Sequence, residues 1–117
     1  MNSDSNLKIR WARLEDRFDE KFGKKPDLET VLMLIGIQEL RSSRQKFNKE
    51  EKEDLMHIAV CTVLSKDGYY TLKDYDSEGW PHFEKARKLP AYSGKEQEDF
   101  LKDHVLRYFE NREKEGL

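Results

Sequence analysis

Apolar residues at Leu7, Trp11, Leu14, Phe18 and Phe22 recur at helical spacing. That spacing lays all five on one stripe of an α-helix. The other faces carry Lys8, Arg10, Arg13, Glu15, Asp16, Arg17, Asp19 and Glu20. The pattern predicts a first helix over residues 5–22 that buries a single seam, with Gly23 as its stop. A second pattern opens at Pro26-Asp27, where Asp27 is the expected N-cap, and should reach Arg41. Its apolar positions are Leu28, Val31, Leu32, Met33, Leu34, Ile35, Ile37 and Leu40, which leave no wide polar face. A segment apolar nearly all round belongs at the centre of a domain or in an interface between subunits. Gly36 in its middle costs about 1 kcal/mol against Ala. Close approach of a neighbouring backbone would explain it.

Residues 42–47 form a basic connection. Asn48-Lys49-Glu50-Glu51 then pairs an N-cap with a Glu three residues on, the signature of a capping box. The third helix is expected from there to Ser65, with Leu55, Met56, Ile58, Ala59, Val60, Val63 and Leu64 on its apolar arc and Asp67-Gly68 as its end. No clean period runs from Tyr69 to Pro90. Tyr69-Tyr70-Thr71-Leu72 fits extended chain, and Asp74 to Gly79 is turn chemistry. Trp80-Pro81 reads as the start of a short helix carrying Phe83 and Ala86, with Pro at its first position. Ser93-Gly94-Lys95-Glu96 is a second capping box. The last helix is expected to reach Arg112, with Phe100, Leu101, His104, Val105, Tyr108 and Phe109 inside and a fraying tail from Glu113. These elements predict an all-α fold: four main helices in one bundle-like domain over residues 1–117, with an aromatic, partly irregular insert at about 69–92.

Gly68-Tyr69-Tyr70, the run from Asp76 to Phe83, and the stretch from Asp27 to Leu40 resemble small uncharacterised helical proteins of Bacteroidetes bacteria. These pieces cover well under half of the chain. The resemblance implies a bacterial cytoplasmic protein and brings no activity with it.

Composition narrows the class. Apolar residues make up 36% of the chain and charged residues 39%, which fits a modest core under a large charged surface. Six Phe, five Tyr and two Trp argue against disorder. A net charge of −2 supplies no field for drawing in nucleic acid or anionic lipid. The longest apolar run, Val31 to Ile37, is too short to cross a bilayer. The polar start, Met1 to Asn6, lacks the apolar core of a signal peptide. Cys61 is the one cysteine, so no internal disulfide forms. A cytoplasmic location without membrane contact is expected.

Four constellations could carry chemistry. Asp54, His57 and Cys61 fall on one side of the third helix at i, i+3 and i, i+4 spacings, where side chains meet. Thiolate and imidazole suit zinc or a similar metal, yet a structural zinc site needs four ligands. A hydrated stripe with a small Cys at its edge is the plainer reading. Tyr69, Tyr70, Tyr75, Trp80 and His82 form a candidate contact surface. The same rings also serve to pin an irregular segment to a helical core, the fuller use of most of them. Arg41, Arg44, Lys46 and Lys49 form a candidate anion patch beside the start of the third helix. Glu50 and Glu51 interrupt it, and the connection is too long for a helix-turn-helix, so nucleic acid is not an expected partner. Asp74 to Gly79 echoes a calcium loop, but Lys85 stands where the bidentate Glu is required, which leaves an acidic turn. His104, among Phe100, Leu101 and Tyr108, reads as a satisfied histidine. No catalytic set is complete and no cofactor is implied. The expected function is a non-enzymatic domain acting through protein–protein contacts, with a homodimer as one form. The alternative is a metal- or small-molecule-binding domain using Asp54, His57 and Cys61.

Overall fold

The computed structural model describes residues 3–114. In chain order they form α1 (Ser3–Phe22), α2 (Leu28–Glu39), α3 (Lys49–Ser65), β1 (Tyr70–Tyr75), β2 (Pro81–Lys85) and α4 (Gly94–Lys114). The end of the expected fraying tail, 115–117, lies outside the described residues. The chain divides into two compact units, one built from its two ends and one from residues Glu29–Pro90.

The all-α expectation is corrected by the second unit. There β1 and β2 form a two-stranded antiparallel sheet, so the fold is mixed, though dominated by helix. The short helix expected from Trp80-Pro81 is strand β2 instead. Proline fits the first residue of a strand as well as the first turn of a helix. Tyr75 pairs with Pro81, Leu72 with Phe83 and Tyr70 with Lys85, with a register shift between Leu72 and Asp74. The turn closes through Gly79 N–H to the Asp76 carbonyl at 3.0 Å and Asp76 N–H to the Trp80 carbonyl at 2.9 Å. Gly79 takes φ +87°, the left-handed residue that completes such a turn. Its carbonyl accepts from Arg41 N–H at 2.8 Å. That bond takes the Arg41 donor away from the helix and ends α2 short of the expected Arg41.

Helix α2 crosses α3 at Gly36. A Cβ there would lie 2.8 Å from the Leu55 carbonyl carbon and 3.0 Å from its Cα, closer than packed atoms come. Gly36 thus lets two backbones touch, as its place in the sequence suggested. Leu40, Leu55 and Ile58 are the buried centre of this cluster, with Met33, Ile37, Phe47, Trp80 and Phe83 packed around them. Helix α3 opens on the expected capping box: Asn48 Oδ1 accepts from Glu51 N–H and Glu51 Oε1 from Asn48 N–H, both at 2.9 Å. It closes through Gly68 at φ +80°, with Tyr69 N–H on the Leu64 carbonyl and Gly68 N–H on the Ser65 carbonyl.

In the first unit, α1 packs on α4. Lys102 lies over Trp11 and Phe109 meets Phe18 edge-on. Seven residues forward on α1 thus match seven residues forward on α4, so the two helices run parallel. The four-three-four spacing of Leu7, Trp11, Leu14 and Phe18 is the seam of a coiled-coil-like pair. Arg10 sits beside it, bonded to Asp103 at 2.9 Å and Glu110 at 2.7 Å.

Candidate functional site

Helix α3 brings His57 and Cys61 together, one turn apart, with Sγ 3.6 Å from Nε2. Strand β1 adds Tyr70, whose hydroxyl is shifted upward by burial and then by the neighbouring Cys61. Asp54 lies exposed one turn earlier. Cys61 itself is buried, at 1% exposure, and burial pushes its thiol up to about 11. At neutral pH the side chain is therefore a thiol, whereas nucleophiles and metal ligands are thiolates. Among the described residues, no group of three or more His, Cys, Asp or Glu is placed to hold a metal ion.

The hairpin aromatics are spent largely on their own unit. Tyr69 is buried beneath Arg87, 4.5 Å from ring to guanidinium, and Tyr75 lies 3.8 Å beneath Arg41. Trp80 packs edge-on against Phe47 and into the Leu40–Leu55–Ile58 cluster. Tyr70 is half-buried and His82 exposed. His82 Nε2 lies 3.0 Å from Asp76 Oδ2, while Asp76 Oδ1 accepts from the backbone of Glu78 and Trp80, each at 3.0 Å. His82, then the Trp80 amide, hold the Asp76 carboxyl below its usual range. This carboxylate organises its own turn, which accounts for the calcium-loop echo without an ion.

The two arginines of the basic patch are engaged within their own unit while remaining exposed. Arg41 covers Tyr75, and Arg44 binds Glu51 and the Lys46 carbonyl while stacking near Phe47. The Asn48 amide, then Arg44, lower the Glu51 carboxyl, so an internal anion already sits at the start of α3. Lys46 and Lys49 stay exposed. His104 is buried, and its Nδ1–H donates to the Phe100 carbonyl at 2.8 Å, the satisfied state expected of it.

The first unit departs from the expected buried stripe at Phe22, which the spacing placed in the seam and the structure leaves exposed. Phe22, 58% exposed, contacts Phe18; Phe18 contacts Phe109; Phe109 contacts buried Tyr108, with ring centroids 5.3–6.1 Å apart along the ladder. The available signal was position: Phe22 is the last helical residue before Gly23, where no later turn can cover it. Charged clefts flank the α1–α4 seam, with Arg10 lining two of them. Periodicity alone could not reveal these, because they need both helices in register. No protein-family model matches the chain, and no match is found among curated proteins or solved structures. Among the described residues, no helix is long and apolar enough to cross a membrane.

Proposed function

We propose that this protein is a non-enzymatic domain of the cytoplasm that acts through protein–protein contacts. The carrying observation is the Phe22–Phe18–Phe109 ladder, whose outermost ring is 58% exposed at the end of a helix pair. Aromatic rings set in a charged surround are the anchors that partners use. The protonated, buried Cys61 supports the non-enzymatic reading, since the strongest nucleophile in the chain is held inert.

Phe22→Asp tests this. The ring is mostly exposed, so the variant should melt close to wild type, with a cost of about 0.5 kcal/mol or less. Wild type and variant serve as baits in the cells that make the protein. A partner held stoichiometrically by wild type, lost from the variant, and rebuilt from purified components is the expected result. Identical sets of retained proteins from both baits would refute the reading.

A further inference from the structure

We propose that one face of the α1–α4 pair is a self-complementary interface on which a second copy of this chain docks antiparallel. This goes beyond the Phe22 reading, because it names a second surface and a partner for it. Two open clefts lie on the face, and Arg10 lines both. The cleft toward the helix starts has a volume of about 530 Å³ and sets Glu96, Asp99 and Asp103 against Arg10. The cleft toward the helix ends has a volume of about 630 Å³ and sets Arg10, Arg13 and Arg17 against Asp16 and Glu110. One end is thus net acidic and the other net basic.

Ion pairs within the unit soften this polarity. Asp103 binds Arg10 and Arg107, Asp99 binds Lys95, and Glu110 binds Arg10. Glu96 at the acidic end and Arg13 at the basic end are both exposed to solvent. A two-fold axis across the helices sets the acidic end of each copy on the basic end of the other. Both contacts are then attractive at once, as a closed symmetric interface requires. Parallel docking would set like charge on like. The antiparallel arrangement also gives four packed helices, with the half-buried Leu7 and Phe100 of each copy set in the acidic cleft that the partner covers.

The test is the mass of the intact chain by light scattering and sedimentation, from micromolar to millimolar concentration, at low and high salt. A dimer is expected whose affinity falls as salt rises. Arg13→Glu with Arg17→Glu should weaken it by about tenfold or more, and Glu96→Lys with Asp99→Lys likewise. Each reversed copy repels itself, but a mixture of the two restores both contacts and should form a heterodimer. If either doubly reversed chain fails to melt like wild type, Arg13→Ser and Glu96→Gln replace them and should each weaken the dimer measurably. A monomer at every concentration overturns the proposal, and so does a dimer indifferent to these substitutions or a mixture that stays monomeric. A monomer would leave the Phe22 expectation intact, so the two failures are distinguishable.

Discussion

Burial holds the Cys61 thiol at about 11, against 9.0 for the ordinary group. The folded chain therefore keeps a proton that the unfolded chain gives up. The associated stability is complete below pH 9.0 and is lost as pH rises through about 11. That window amounts to roughly 2–3 kcal/mol, at about 1.4 kcal/mol for each pH unit. Denaturant unfolding checks it: wild type should lose stability more steeply than Cys61→Ala across the window, and parallel curves would contradict it. Asp76 behaves in the opposite sense. Its carboxyl is lowered, so its stabilisation is present above the ordinary 3.8 and is lost as pH falls through the lower folded value. The Trp80 amide, bonded to Asp76, should stay protected from hydrogen exchange down to about pH 4 and lose protection on further acidification. Asp76→Ala should remove that protection at neutral pH. The sequence placed His57 and Cys61 on one helix face correctly, because i, i+4 spacing is a local matter. It could not foresee the state of the thiol, which depends on what covers the helix.

At the scale of elements, Gly36 separates local from tertiary preference. Helix propensity alone favours Gly36→Ala by about 1 kcal/mol. The Leu55 backbone leaves no room for the added methyl, and overpacking of this kind costs about 1–3 kcal/mol. A net loss of stability is expected on thermal unfolding, and a gain would show that α2 and α3 do not touch there. The helices themselves were legible: long apolar periods, the Asn48–Glu51 box and the glycine stops carry their own signals. The hairpin was half legible. Tyr70, Thr71 and Leu72 favour extended chain, but β2 is a strand of only five residues opening on a proline. So short a run shows no period that distinguishes strand from helix. Its pairing with β1 rests on Asp76 and Gly79, whose roles appear only once the turn is closed.

For the whole molecule, what the sequence withheld was the direction of pairing. An apolar stripe states which face a helix buries and says nothing of which way its neighbour runs. Spin labels at Lys8 with Lys95, and at Lys21 with Arg112, test the parallel seam. Both pairs should give short distances, whereas antiparallel helices of this length would separate the members of each pair by about 20–25 Å. The parallel seam also joins residues far apart in the chain: Arg10 and Asp103 are 93 residues apart. At about 5–20 residues per second, α1 leaves the ribosome some 5–20 s before its neighbour is made. For that interval Trp11, Leu14 and Phe18 face water without α4. Transient apolar exposure of this kind is what chaperones shield in growing chains generally.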